Sequence, residues 1–199
     1  VWGSLQPTNL AGPLDKLLQL GYVMREVPFG EGHRSSKKSL YKIADPFLNF
    51  YFRFVVPNRS FIEIEQSSTV LELFSARFPR YVSGIWEEIC RQAVPALTIG
   101  GIKFRPAGRW WGSPEKGGAL ELDVVAESLD GRHLLVDECK WTDKEINPDQ
   151  LKGELFKKAA YLPFSKGKTI VPVVFIKQGG RMMFSYVFGP KEILDALRS

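Results

Sequence analysis

The sequence predicts an α/β fold: a mixed sheet flanked by helices, preceded by a smaller helix–strand–strand segment. Three observations carry that reading. From Ile99 onward the chain passes through stretches of strand character at 103–106, 119–126, 133–141 and 169–176. A helix over 149–162 separates the last two, the alternation that builds a sheet with helices packed on it. Residues 9–43 read differently, as helix, strand, basic loop and strand.

Taken in order, the run from Asn9 to Gly21 puts Leu10, Leu14, Leu17, Leu18 and Leu20 at helical spacing, and Gly21 is placed to end the helix. Strand-like residues 22–27 and 39–43 flank the polar run 30–38. This order is that of the second half of a winged helix-turn-helix. Such a domain normally has one or two more helices before this one, so the chain is expected to be the C-terminal part of something longer. Within the loop, Arg34, Lys37 and Lys38 either contact DNA phosphates or are exposed charges on an interdomain coupler. Asp45-Pro46 opens the next helix, with Asp45 as N-cap and proline in the first turn. Phe47, Phe50, Tyr51, Phe54 and Val55 then fall on one helical face, and Pro57-Asn58 ends it. An aromatic stripe at helical spacing is read as core rather than as a base-stacking surface. A short strand over 184–188 and a helix over 190–197 close the chain. The expected domains are a partial winged helix with its connecting helix over 1–60, and the α/β domain over 61–199.

Composition narrows the class. With 44% hydrophobic and 13% aromatic residues the chain has ample material for a packed core, so it is read as globular throughout. No run approaches the roughly 20 apolar residues that span a bilayer, and no charged-then-apolar leader stands at the N-terminus. Cys90 and Cys139 do not make a disulfide framework, which fits a reducing cytoplasm. A net charge of +5 suits a polyanionic partner such as DNA, and equally suits a solvated basic face.

The chemistry concentrates in 134–141, Leu-Leu-Val-Asp-Glu-Cys-Lys-Trp. Alternation along a strand puts Glu138 and Lys140 on one face and Cys139 on the other. Asp123 lies in the preceding strand, and the Asp130-Gly131 turn makes the two strands hairpin neighbours, so that Asp123 approaches Glu138. Paired carboxylates suit a hard cation such as Mg²⁺ or Mn²⁺. A lysine beside them can position the attacking water and offset phosphoryl charge. The structural alternative is a salt-bridge cluster at a sheet edge. Glu121, on the same strand as Asp123, is an auxiliary ligand or an exposed edge residue.

Asp123 followed by Glu138-Cys139-Lys140 resembles the PD-(D/E)xK nuclease superfamily. That resemblance implies a restriction-endonuclease-like sheet, with Asp123 and Glu138 holding the metal and Lys140 as the catalytic amine. It also implies a further catalytic acid from a preceding helix, for which Glu87 in Gly84-Ile-Trp-Glu-Glu-Ile-Cys-Arg91 is chosen over Glu88. Some relatives carry a glutamine on the following helix, where Gln150 stands; a helix-opening role is its other reading. Many members of the superfamily act as dimers, which makes a homo-oligomer a further possibility. A wider resemblance runs through Tyr41–Phe54, Trp86–Arg91, Gly108–Trp111 and Asp137–Trp141. These segments look like the C-terminal region of archaeal-type AAA-like ATPases, which implies an ATPase module upstream of this chain.

Other motifs are set aside. Gly167-Lys168-Thr169 has Leu162 where a phosphate-binding loop needs glycine, and a strand follows it. His33, His133 and the cysteines lack zinc-ligand spacing. His133 is expected to be solvated, Trp110 and Trp111 to cover the core, and Lys116 to be a loop lysine within reach of phosphate or merely solvated.

Overall fold

The computed structural model describes residues 7–113, 118–177 and 184–198. The chain divides into two compact units, one of Val1–Val27 with Gly32–Phe78 and one of Pro28–Glu31 with Pro79–Ser199.

In the first unit, helix α1 (Pro7–Gln19) ends as its sequence predicts. Gly21 takes a φ of 73°, and the amides of Gly21 and Tyr22 donate to the carbonyls of Leu18 and Leu17 at 3.1 and 3.0 Å. That is a left-handed cap, which a side chain at Gly21 would strain. Strands β1 (Val23–Glu26) and β2 (Leu40–Ile43) pair antiparallel with Val23 opposite Ile43. Arg25 crosses to the Ser39 hydroxyl at 2.8 Å and the Ser36 carbonyl at 2.9 Å, fastening the loop between them. Helix α2 (Pro46–Phe50) starts on its Asp45 cap, whose side chain accepts the Leu48 amide at 2.7 Å.

The expected aromatic face is core only in part. The helix widens into a π-turn at Tyr51–Val55 and tightens into a 3₁₀ turn at Val56–Asn58 before α3 (Arg59–Glu63). The predicted face divides along the helix: Phe50 and Phe54 stay together while Phe47 and Tyr51 turn outward. Phe54 is buried, whereas Phe47 is 70% exposed and Tyr51 39% exposed. Phe54 packs against Phe50 and against Phe74, the latter from helix α4 (Ser67–Ala93), at centroid distances of 5.1 and 5.2 Å.

The second unit carries the α/β architecture. A small hairpin of β3 (Thr98–Ile99) and β4 (Ile102–Lys103) precedes the principal sheet. Its order is β5 (Gly108–Gly112), β6 (Leu120–Glu127), β7 (His133–Asp137) and β8 (Thr169–Pro172). The first three run antiparallel and β8 is parallel to β7. A parallel neighbour needs a crossover, and α5 (Pro148–Ala160) supplies it, capped by Asn147, which accepts the Gln150 amide at 3.1 Å. The strand expected over 169–176 is interrupted after Pro172, which has no amide to give a ladder. It resumes as β9 (Val174–Phe175), paired in parallel with β10 (Val187–Phe188), before α6 (Pro190–Arg198).

Both faces of the sheet are covered, which explains the apolar runs Val124–Ala126 in β6 and Leu134–Val136 in β7. Val124, Ala126 and Leu135 join Trp86, Cys90 and Ala93 of α4 and Ile193 of α6 in one core cluster. Leu122, Val125, Leu134 and Val136 join Leu151, Leu155 and Ala159 of α5 in the other. Leu122 and Val124 are two residues apart, yet they belong to opposite clusters. The cause is a bulge: Gly108 pairs with Val125 but Trp110 with Leu122, so three steps along β6 match two along β5. The extra residue lies at Asp123–Val124.

Candidate functional site

Asp123 is therefore aimed by a bulge at the end of a strand pair. The register of β6 with β7 runs from Glu127 opposite Leu134 to Val124 opposite Asp137, so the next pair outward would be Asp123 with Glu138. The ladder stops there. The Cys139 amide donates to the Asp123 side chain at 2.9 Å, and β7, expected to run to residue 141, ends at Asp137. One step further the backbone is caught by another element. The Lys140 amide donates to the Phe175 carbonyl at 2.9 Å, and the Lys177 amide to the Lys140 carbonyl at 3.0 Å. The motif thus sits on backbone that is fixed on both sides of Cys139.

Burial, then the charges of Glu87, Glu121 and Glu138, push the Asp123 carboxyl up to about 7, although the Cys139 amide opposes them. Burial raises Glu87 as well, against the pull of Arg91 and Arg109. Its neighbour Glu88 is engaged elsewhere, 3.0 Å from an Arg91 guanidinium that also donates to the Asp123 carbonyl at 2.8 Å. Of Glu87 and Glu88, Glu87 is the one whose charge acts on Asp123. Glu121 also acts on Asp123 and is itself paired with Arg109.

Glu138 has the opposite surroundings. Lys140 Nζ lies 2.7 Å from one of its oxygens and Lys158 Nζ 2.5 Å from the other. Burial raises the Glu138 carboxyl, but the two ammonium groups outweigh it and leave it lowered. The arrangement is polar in the literal sense, with carboxylates gathered around Asp123 and ammonium groups around Glu138. Such a pairing can hold a cation on one side and a phosphate on the other.

Lys158 escapes the sequence reading. It stands on α5, 20 residues from Glu138, and its only signal is its place beside Ala159 on the flank of the buried Leu151–Leu155–Ala159 face. Gln150 stands in the first turn of α5, where its side chain donates to Glu154 at 2.9 Å. Arg34, Lys37 and Lys38 are exposed in the β1–β2 loop of the first unit. Lys116 lies outside the described residues. His133 is partly exposed, at 27% of its side chain, rather than fully solvated. Its Nδ1 is buried without a hydrogen bond, 3.6 Å from Asp130. Trp110 does cover the core, and the Arg109 guanidinium lies over the Trp111 ring at 5.6 Å.

Among the described residues no group of three or more histidines, cysteines and acids is arranged to hold a metal ion. Mg²⁺ needs no such cage, since one or two carboxylates suffice when waters and substrate oxygens complete its shell. Asp123, with its charge opposed by three other acids, is a fitting donor, and Glu138 fits if its lysines yield an oxygen.

Fold and site together define an α/β protein with a carboxylate–lysine cluster at the open end of a strand pair. The chain belongs to the DUF234 family, described as archaea bacterial proteins of unknown function, whose family model matches residues 51–151. It is 29% identical over 156 residues to an uncharacterized protein of Methanocaldococcus jannaschii, a match covering 76% of this chain and 34% of the relative. The chain thus spans about a third of that relative's length. No solved structure matches it. No helix among the described residues is long and apolar enough to cross a membrane.

Proposed function

We propose that the α/β unit is a PD-(D/E)xK-type nuclease domain that hydrolyses DNA phosphodiesters with Mg²⁺ or Mn²⁺. The observation that supports this most is the charge arrangement around Asp123, whose carboxyl is pushed to about 7 by burial and by Glu87, Glu121 and Glu138. A carboxyl whose charged form is disfavoured by burial and by neighbouring acids gains from a cation beside it. Asp123 and Glu138 would hold the metal, with Glu87 assisting from α4. Bound, the metal supplies Lewis-acid polarisation of the phosphoryl oxygen. Lys140, held by its backbone to Phe175 and by its ammonium to Glu138, would be the positive donor that orients a water toward phosphorus. The Cys139 amide fixes the Asp123 carboxylate. An ATPase module upstream in the full-length protein, and DNA as partner, belong to this proposal.

A second reading is a non-catalytic module that binds DNA or protein and regulates that ATPase. One observation favours it: both oxygens of Glu138 are already paired with lysines, as in a structural ion-pair cluster. Cleavage of branched and linear DNA in Mg²⁺ or Mn²⁺ separates the two. A nuclease loses at least about a hundredfold in rate with Lys140→Ala, in line with the loss of one charged transition-state donor. It also loses Mn²⁺ binding by calorimetry with Asp123→Ala. Absence of cleavage together with DNA or protein binding that tolerates Lys140→Ala would establish the regulatory module.

A further inference from the structure

A cavity of about 460 Å³ opens beside the last turns of α5, lined by Leu120, Glu154, Lys157, Lys158, Ala160 and Tyr161. Lys158 belongs to the cavity wall and also to the motif, through its 2.5 Å contact with Glu138. Lys158 thus links the cavity to the candidate site. We propose that it is a subsite for one unpaired nucleotide of a nucleic-acid strand, next to the phosphate that reaches Glu138 and Lys140. The inference deepens the nuclease reading, and rests on it for the nature of the ligand.

Four features fit a nucleotide. The volume falls within the few hundred cubic ångströms of small-ligand sites, too small for a duplex. Lys157 and Lys158 stand in the last turn of α5, where the helix C-terminus would otherwise repel phosphate. Tyr161, 52% exposed, offers a ring face for stacking, which is available only to a base that has left its own stack. Glu154, held by Gln150 at 2.9 Å, supplies an acceptor for the exocyclic amine of a base and keeps phosphate to the lysine side. Phosphate drawn to Lys158 would also loosen its hold on Glu138 and release an oxygen toward the cation.

The test is fluorescence anisotropy of a labelled single-stranded 12-mer and of a blunt duplex of the same sequence, with EDTA present so that no cleavage intervenes. The 199-residue chain is compared with Tyr161→Ala, Tyr161→Phe and Lys157→Ala. Single-strand affinity is expected to fall about tenfold with Tyr161→Ala and to hold within about twofold with Tyr161→Phe, because the ring face is what stacks. Lys157→Ala is expected to weaken binding and reduce the slope of log affinity on log salt by about 1. The duplex should be insensitive to Tyr161→Ala. Unchanged single-strand affinity in Tyr161→Ala overturns the subsite, even if the chain cleaves DNA in Mg²⁺. A Tyr161-dependent affinity without any cleavage keeps the subsite and rejects the nuclease.

Discussion

The Asp123 carboxyl lies where burial and three neighbouring acids all favour its protonated form, and this has a consequence for stability. Its pKa in the folded chain, about 7, stands above the 3.8 of the free side chain. Between those values the folded chain therefore binds more protons than the unfolded chain, and stability falls as pH rises. Asp137, fully buried, and Glu87 are also raised, chiefly by burial, and act in the same direction. Glu138 is lowered, so its contribution is present at neutral pH and lost in acid. Urea midpoints measured in EDTA from pH 4 to pH 7 should decline, and Asp123→Asn should flatten much of that decline. An unchanged slope would place the cost on Asp137 and Glu87 instead. The same titration sets metal affinity: a cation must displace the Asp123 proton, so Mn²⁺ should stabilise the chain more at pH 8 than at pH 6. Residue types and strand order marked Asp123, Glu138 and Lys140 as candidates, and the family resemblance added Glu87. Lys158 was not legible, because nothing local marks a lysine that finds its partner across 20 residues.

The β6–β7 hairpin shows how far local sequence reaches. Asp130-Gly131 foretold the turn, and Gly131 adopts a φ of 72°. The Ser128 hydroxyl and the Arg132 amide both donate to Asp130, at 2.6 and 3.1 Å, and hold its carboxyl down to about 2. Gly131→Ala should cost about 1 kcal/mol, the penalty of a side chain in the left-handed region, and be seen as a lower urea midpoint with an unchanged m value. A loss several times larger would mean that the register itself slips. The bulge at Asp123 was not legible. Valine follows valine in β6 whether or not a residue is inserted, and only the pairing with β5 shows the phase change. For the same reason the end of β7 at Asp137 was missed: what stops it is a side-chain acceptor on another strand.

Across the described residues, the α/β class followed from the alternation of strand and helix signals, but β5, an edge strand of the principal sheet, was not among the expected strands, and the aromatic stripe from Phe47 to Val55 is core only in part, at Phe50 and Phe54. Phe47, Leu20, Ile64 and Leu71 of the first unit are each more than 60% exposed, at 70, 68, 64 and 63%. In the second unit the two cysteines tell against surface chemistry. Cys90 and Cys139 are free and buried, share one core cluster, and have thiols pushed up chiefly by burial. Cys139 stands between Glu138 and Lys140, its sulfur 3.0 Å from Asp137. An alkylating reagent can reach that sulfur only when the strand ends part, so its rate of modification is a clock on the opening of the motif. The native chain should resist such labelling and yield both thiols once denatured. Any ligand that grips Asp123 or Glu138 should slow the clock at Cys139.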